Sequence, residues 1–225
     1  MYSRYYESHD AKRNDPLSNP EVAFQQFAFD KANIRALQHM DLERESAKIL
    51  DVGCGNGIGL IQMLRLGFDP RRMSGIDIDE ERITQARERL PQADFRCMSA
   101  ASMPYPDGAF DIVMESTMFV LMPSEETARG IAKEMVRVTR RGGYLMLIDW
   151  RYSKPGSDVY RAMNRKRIKD LFGVGSATEV VARERGALVP PLGRRLSRFT
   201  PSLYFLVQRL FPPAVGQVTT VLKRL

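Results

Sequence analysis

Three glycines at alternate positions follow an acid near the end of an apolar run, in the segment Ile49-Leu50-Asp51-Val52-Gly53-Cys54-Gly55-Asn56-Gly57. The apolar run over 47–52 predicts a short buried strand, and the apolar positions from Ile58 to Leu66 predict a helix. The glycines therefore lie in a strand-to-helix turn. The backbone can bend sharply there, and a ligand can approach where a Cβ atom would block it.

A second acid follows the glycine turn at a spacing typical of proteins that bind nucleotide-like ligands. The segment Gly75-Ile76-Asp77 predicts another strand that ends in an acid, and a carboxylate there can accept hydrogen bonds from both hydroxyls of a ribose. The glycine pattern does not fit the Gly-x-Gly-x-x-Gly fingerprint of nicotinamide enzymes, because Ile58 occupies its sixth position. We interpret Asp79 differently, as the N-cap of the next helix.

Strands and helices alternate from residue 47 onward, which predicts a mainly parallel, doubly wound sheet. We predict strands near 47–52, 73–77, 94–97, 110–115, 143–149 and 218–222. Predicted helices lie near 19–40, 58–66, 79–90, 124–139, 157–172, 177–185 and 203–210. The first helix is predicted to begin at Asn19-Pro20, and the prolines at 190–191 and 212–213 are expected to interrupt regular structure.

Several segments over 45–150 resemble the motifs of class I S-adenosylmethionine-dependent methyltransferases. Asp51-x-Gly53-x-Gly55-x-Gly57 resembles their first motif, and Asp77 lies where their ribose-binding acid lies. The run from Ser99 through Met103-Pro104-Tyr105 to Phe110-Asp111 resembles the segment that surrounds the adenine, and Arg141-Gly142-Gly143 resembles the turn into the fifth strand. The chain is most similar to the type 11 group, and its last third faintly resembles bacterial surface-polysaccharide and sugar-cluster methyltransferases.

The resemblance implies a Rossmann-like α/β fold with a doubly wound, mainly parallel seven-stranded sheet and an N-terminal helical cap. Residues 1–42 would form the N-terminal segment and cap helix, and 43–225 the methyltransferase domain, of which 151–225 would be a basic, acceptor-side part. The cofactor would be S-adenosylmethionine, with S-adenosylhomocysteine as product. The implied cofactor-binding residues are Asp51, Gly53, Cys54, Gly55, Gly57, Asp77, Ile78, Ser99, Ala100 and Glu115.

Two further observations bear on the predicted site. Ser99 stands where the family has an aspartate, so it can accept a hydrogen bond from the adenine amino group but carries no charge. The two cysteines, Cys54 and Cys97, lie far apart without metal-ligand spacing, and we expect no metal.

The candidate catalytic residues are Glu115 and His9. Positioning can supply much of the barrier reduction in methyl transfer, on the order of 7–11 kcal/mol, but a hydroxyl acceptor benefits from a general base. Glu115 ends the predicted fourth strand and is either that base or a contact to the cofactor. His9 belongs to an N-terminal segment that could close over the site.

Charge is unevenly distributed along the chain. The formal net charge is +7, yet residues 151–225 hold 15 Lys and Arg against 4 Asp and Glu, whereas residues 1–150 hold 19 against 23. The basic part could bind a phosphorylated substrate, a membrane surface or RNA. Aromatic residues are not interleaved with the basic ones, which mildly disfavours RNA. An 18-residue apolar run and a signal peptide are not found, so we expect a cytoplasmic protein, monomeric or homodimeric, with peripheral membrane contact left open.

The functional prediction is methyl transfer to a small-molecule or glycan acceptor, with O-methylation as the preferred reaction. In one version of this hypothesis the acceptor is anionic. Three alternatives stay open. They are a C-methyltransferase of a quinone or polyketide, an RNA methyltransferase, and a catalytically silent S-adenosylmethionine-binding scaffold.

Overall fold

The computed structural model describes residues 16–17, 19–154, 156–157 and 160–225. Its strands are β1 (Ile49–Val52), β2 (Met73–Asp77), β3 (Asp94–Cys97), β4 (Phe110–Ser116), β5 (Thr139–Trp150), β6 (Thr178–Arg185) and β7 (Gln217–Arg224). Its α-helices are α1 (Ala23–Gln38), α2 (Ile58–Arg65), α3 (Glu80–Arg89), α4 (Glu125–Val138), α5 (Arg165–Phe172), α6 (Pro190–Phe199) and α7 (Tyr204–Leu210).

All seven described strands form one sheet in the order β3-β2-β1-β4-β5-β7-β6. The first five strands are parallel, and β7 runs antiparallel to both β5 and β6. The chain winds outward in one direction from β1 to β3 and in the other from β4 to β5. The doubly wound, mainly parallel fold predicted from the sequence is therefore confirmed.

The sheet is covered on both faces because its central strands are apolar on both sides, as expected of parallel strands. Leu50, Val113 and Leu145 pack with α4 and α5 on one face. Ile49, Ile112 and residues of α1, α2 and α3 pack on the other. This two-sided burial holds the strand ends, and thus the turns beyond them, in fixed positions.

Helix starts follow the local sequence. The Asp79 carboxylate accepts hydrogen bonds from the backbone N–H groups of Glu81 and Arg82, so it is the N-cap of α3, as predicted. Ser124 Oγ accepts from Thr127 N and begins α4 in the same way. The predicted start at Asn19-Pro20 is a 3-10 turn, Pro20–Val22, that leads into α1.

The predictions for the last third of the chain were partly wrong. The predicted helix over 177–185 is strand β6, which pairs with β7 through Thr178↔Arg224 to Arg185↔Val218. The predicted helix over 157–172 begins only at Arg165, where the Asn164 side chain caps it. Pro190 and Pro191 do not interrupt regular structure but occupy the first turn of α6, where a missing N–H costs nothing.

Within the described residues, no helix is both long enough and apolar enough to cross a membrane.

Candidate functional site

A cleft of about 680 Å³ opens at the carboxyl ends of β1, β2 and β4. It lies where the strand order reverses between β1 and β4, the usual position of ligand sites in doubly wound sheets. Its volume falls in the range of small-molecule and cofactor sites, roughly 300–1,000 Å³. Its lining includes the glycine turn after β1, residues 76–79 at the end of β2, residues 98–100 after β3 and residues of the segment 116–123 after β4, with further residues from α3 and α4.

The glycine turn takes a conformation that favours glycine at every second position. Gly53, Gly55 and Gly57 have φ values of +73°, +52° and +82°. The Gly53 and Cys54 N–H groups both donate to the Ile76 carbonyl oxygen, at 2.8 and 3.0 Å, which ties the turn to the neighbouring strand. Among the three glycines, Gly53 faces the cleft, and a Cβ built there would lie 2.9 Å from Met118 Sδ.

The Asp77 carboxylate is fixed by backbone donors on both oxygens. Its Oδ2 accepts from Gly55 N at 2.9 Å, and its Oδ1 accepts from Asp79 N at 3.1 Å. Each oxygen retains lone-pair capacity, because an ionised carboxylate offers about four acceptor sites. The acid at the end of β2 is thus oriented by the glycine turn itself, and it borders the cleft together with Ile78.

Ser99 and Ala100, two residues predicted to bind the cofactor, line the cleft beyond β3. Ser99 Oγ accepts from Ala101 N at 3.3 Å, so the hydroxyl also closes its own turn. The chain after this turn is held by Arg137 of α4, whose guanidinium donates to the Met103 and Tyr105 carbonyl oxygens at 2.9 and 2.7 Å.

The side of the cleft after β4 is mostly apolar and was largely missed by the sequence analysis. The lining residues there are Ser116, Thr117, Met118, Leu121, Met122 and Pro123. Thr117 has φ +58° and is the one non-glycine residue with positive φ in the described part of the chain. Its N–H donates to Ile148 O at 2.9 Å, and no local sequence pattern predicts this tertiary contact.

The other residues of this group that were predicted to bind the cofactor do not line the cleft but lie behind the residues that do. Gly55 and Gly57 form the turn, and the buried Cys54 packs beneath it, with burial raising the pKa of its thiol. Asp51 is buried, its Oδ1 has no hydrogen-bond partner among the described residues, and its Oδ2 would lie 2.7 Å from a Cβ at Gly59. Burial, helped by the Asp77 charge, raises the pKa of Asp51 to about 7.

The structure places Glu115 under the floor of the cleft and not among its lining residues. The side chain is completely buried, and its Oε2 accepts from Met118 N at 3.0 Å. Burial and then the nearby Asp149 carboxylate raise the pKa of Glu115 well above its ordinary value. The side chain accepts a hydrogen bond from the turn over 116–118, and its role as a general base or as a cofactor contact stays a prediction. The second candidate, His9, lies outside the described residues.

Residues 49–143 match a family model described as a methyltransferase domain. The match begins at β1 and ends in β5, so it contains every segment that lines the cleft from Gly53 to Ile131. This part of the chain is a methyltransferase domain, and its fold and motifs are those of the class I S-adenosylmethionine-dependent methyltransferases.

The alignments with curated relatives cover only part of this chain and only part of each relative. The 27-O-demethylrifamycin SV methyltransferase of Amycolatopsis mediterranei is 31% identical over 166 residues, which are 70% of this chain and 59% of that relative. The 2-methyl-6-phytyl-1,4-hydroquinone methyltransferase of a Synechocystis species is 35% identical over 106 residues, or 45% of this chain and 31% of that relative. The chain therefore spans less than two thirds of the length of these curated relatives.

Solved structures support the fold over nearly the whole chain. The geranyl diphosphate C-methyltransferase of Streptomyces coelicolor A3(2), solved with S-adenosyl-L-homocysteine, superposes with a TM-score of 0.66. The superposition covers 99% of this chain and 96% of that one, at 14% identity, which shows a shared fold.

The cofactor of this methyltransferase family is S-adenosylmethionine, and the cleft fits it in two independent respects. A carboxylate that could accept from a ribose stands at the cleft edge, and the turn beside it is open only because Gly53 has no Cβ. In the described residues, no group of three or more His, Cys, Asp or Glu side chains is placed to hold a metal ion.

The buried carboxyls of this methyltransferase predict a stability that falls as pH increases. A carboxyl whose pKa is raised on folding contributes stability that is complete below its unfolded value and is lost as pH rises through the folded value. For Asp51 this window runs from its ordinary value of 3.8 to about 7. We expect the melting temperature to fall across this range in wild type and to fall less in Asp51→Asn. A pH profile identical in both proteins would contradict the assignment.

The position of Glu115 predicts that its charge is dispensable for catalysis. Glu115→Gln should keep the acceptor for Met118 N and the same volume, because the raised pKa favours the neutral carboxyl. We expect cofactor affinity and turnover to stay within about threefold of wild type, the effect of at most about 0.7 kcal/mol. Isothermal calorimetry and initial rates at saturating cofactor measure the two quantities.

Glu115→Ala is the contrasting variant, since it deletes the acceptor and leaves a cavity. It should lower the melting temperature and weaken cofactor binding together. If Glu115→Gln instead lowers turnover by roughly 10²–10⁴-fold at unchanged cofactor affinity, Glu115 acts as a general base.

Proposed function

We propose that this methyltransferase transfers a methyl group from S-adenosylmethionine to an apolar small molecule that carries a readily ionised oxygen, such as a phenol, a hydroquinone or a carboxylate. The observation that carries the proposal is the division of the cleft into two chemically different sides. Asp77, Asp79, Glu81 and Arg82 lie on the side of β2 and α3, whereas Met118, Leu121, Met122 and Ile131 supply an apolar side.

The charged side suits the cofactor. Asp77 would accept from the ribose hydroxyls while the Gly55 and Asp79 amides hold its carboxylate in place. Ser99 and Ala100 would face the adenine, and the turn at Gly53 would contact the methionyl part. The cofactor supplies a methyl group already activated by its sulfonium, so the residues of the chain mainly bind, orient and exclude water.

The apolar side favours an acceptor that needs little help in losing a proton. The described lining residues from Ser116 to Pro123 include no carboxylate and no imidazole. An aliphatic hydroxyl would need a general base within hydrogen-bond reach, whereas a carboxylate is already ionised at neutral pH and a phenol, with a pKa of about 10, loses its proton far more readily than an aliphatic alcohol. Apolar side chains around the acceptor would also exclude water from the reacting oxygen.

The named relatives are compatible with this acceptor class. One relative is named for a phytyl-substituted hydroquinone and another for 27-O-demethylrifamycin SV, both small molecules. The hydroquinone relative also keeps methylation at a ring carbon as the second candidate reaction, because an ionised phenol is nucleophilic at carbon as well as oxygen.

An acceptor screen with methyl-labelled S-adenosylmethionine tests the proposal. The panel holds a long-chain alkyl hydroquinone, a fatty acid, a sugar phosphate and an RNA, each with wild type and with Asp77→Ala as a cofactor-site control. We expect labelled product from the hydroquinone or the fatty acid, with the position of the label separating oxygen from carbon methylation. Transfer only to the sugar phosphate or the RNA would overturn the assignment in favour of a glycan or RNA methyltransferase.

A further inference from the structure

Residues 186–216 connect β6 to β7 through two short helices, α6 and α7, at the edge of the sheet where the cleft opens. Strand β6 ends at Arg185 and β7 begins at Gln217, and these residues pair at the level of Val218 and Trp150. Since β5 and β6 end at this level, the 31 residues between β6 and β7 lie beyond the carboxyl ends of the strands. Helices α6 and α7 are therefore on the same edge of the molecule as the cleft.

This segment exposes a set of large apolar side chains. We call the residues Phe199, Leu203, Leu206, Leu210 and Phe211 the apolar face, and each is 41–69% exposed. Leu203, Leu206 and Leu210 follow the spacing of three and four residues that places side chains on one side of a helix. Isolated exposed apolar residues are ordinary, but a cluster at helical spacing marks an interaction surface.

The opposite side of α7 is firmly anchored, so the exposure is a property of the folded chain. Tyr204 is completely buried, and its hydroxyl oxygen accepts from Leu188 N at 3.1 Å. Gln208 is also buried and donates to the Arg185 carbonyl oxygen at 3.2 Å. The Tyr204 ring packs 5.9 Å from the Phe24 ring of α1. These contacts orient the three leucines outward.

The charged residues of the segment itself are of one sign. No Asp or Glu occurs from residue 186 to residue 225, while six Lys and Arg do. Arg195, Arg198 and Arg209 are exposed on α6 and α7, and the Arg198 guanidinium lies 5.3 Å from the centre of the Phe199 ring. Apolar and cationic side chains interleaved on short surface helices are typical of segments that lie in the interface of an anionic membrane.

A second copy of the chain is a poorer partner for this surface. Face-to-face association would bring the same arginines together in the absence of any acid from this segment, and juxtaposed like charges oppose association. A bilayer with anionic headgroups offers both the apolar layer and the opposite charge.

We propose that the apolar face and its arginines dock on the surface of an anionic lipid bilayer, which brings the carboxyl edge of the sheet and its cleft next to the membrane. The leucines and phenylalanines insert at the level of the acyl boundary while the guanidinium groups remain among the headgroups. Docking is a property separate from methyl transfer, since it requires neither cofactor nor acceptor.

Vesicle co-sedimentation of the full chain tests docking without any enzymatic readout. The vesicles are phosphatidylcholine alone, or phosphatidylcholine with about 30% phosphatidylglycerol, each at low and at 0.5 M salt. We expect binding to the anionic vesicles only, weakened at least about tenfold by high salt because headgroup attraction is screened.

Two sets of variants separate the contributions of the face. Leu206→Ser with Leu210→Ser removes exposed apolar surface, and Arg195→Gln with Arg198→Gln removes charge but keeps a polar side chain. Each pair should weaken sedimentation at least about tenfold, while Arg71→Gln with Arg72→Gln, exposed at the amino edge of β2, should leave it unchanged. Thermal melts confirm that each variant is folded.

Three results would overturn the proposal. One is no binding to anionic vesicles at low salt, and another is equal binding by wild type and both variant pairs. The third is a concentration-dependent dimer in sedimentation equilibrium that Leu206→Ser with Leu210→Ser abolishes in the absence of vesicle binding, which would assign the face to a second copy.

Discussion

Replacing Gly53 with valine is expected to abolish S-adenosylmethionine binding in a protein that remains folded. Gly53 has φ +73°, which costs a residue with a Cβ about 1–2 kcal/mol and a β-branched residue more. The new side chain would also start 2.9 Å from Met118 Sδ, and Met118 lines the cleft. Met118 can move only at the expense of the cofactor's space, so we expect the affinity to fall at least about 100-fold, or about 2.7 kcal/mol.

A matched substitution separates the lost space from the backbone strain. Gly175 has φ +98°, lies outside the cleft and has no atoms within 4 Å of a built Cβ. Gly175→Val should therefore lower the melting temperature through strain but leave the affinity measured by calorimetry unchanged. Gly53→Ala should give an intermediate loss, because Met118 is flexible enough to accommodate one methyl group. Wild-type affinity in Gly53→Val would show that the cofactor does not approach this turn.

The parallel half of the fold was predictable because its signals are local. Strands β1, β4 and β5 each contain a short apolar run that is followed within a few residues by glycine or an acid, and two of the helices carry their own caps at Asp79 and Ser124. Consecutive strands of alternating units usually lie side by side and connect by right-handed crossovers, which agrees with the neighbours β1-β2, β2-β3 and β4-β5. Local sequence and tertiary structure agree in this half.

Strand β6 could not be predicted because its structure depends on a distant partner. Thr-Glu-Val-Val-Ala-Arg-Glu-Arg over 178–185 has the charged residues and the following glycine of a short surface helix. It becomes an edge strand since β7, which begins 32 residues after its end, offers a full antiparallel partner. Only Thr178 and Ala182 of the strand are buried, so no apolar alternation marks it.

The candidate site shows the same division between features that local sequence predicts and features that depend on distant contacts. Gly53, Asp77, Ile78, Ser99 and Ala100 were predicted to bind the cofactor, and all five line the cleft, although their contacts to it remain a proposal. Glu115 was placed at the right strand end, but the direction of its side chain depends on strand register and on the turn that follows. That turn contains Thr117 in a left-handed conformation held by Ile148 O, which a threonine in the sequence does not indicate.

Replacing Asp77 with alanine is the second change expected to have a large effect. The wild-type carboxylate serves two roles, because it accepts from the Gly55 and Asp79 amides and leaves capacity for the two ribose hydroxyls. Hydrogen bonds to a charged group contribute about 1.5–3 kcal/mol. We therefore expect the dissociation constant for S-adenosylmethionine to rise roughly 10- to 150-fold, with further loss if the Gly55 turn relaxes.

Asp69→Ala is a control of matched charge. Asp69 caps the turn at Pro70–Arg72 before β2, at the opposite end of the strand that Asp77 ends, so its removal changes net charge without touching the cleft. It should leave cofactor affinity unchanged. Asp77→Asn is expected to fall between wild type and alanine, since the amide keeps one oxygen acceptor but points an N–H group at a second donor.

Kinetics then distinguish binding from positioning at Asp77. If the residue only holds the ribose, turnover at saturating S-adenosylmethionine should recover in Asp77→Ala while the KM for the cofactor rises with the dissociation constant. If turnover stays low at saturation, the carboxylate also keeps the glycine turn in the shape that aligns the methyl group with its acceptor. Equal cofactor affinity in Asp77→Ala and wild type would contradict both roles, because neither ribose contact nor turn geometry could then depend on this acid.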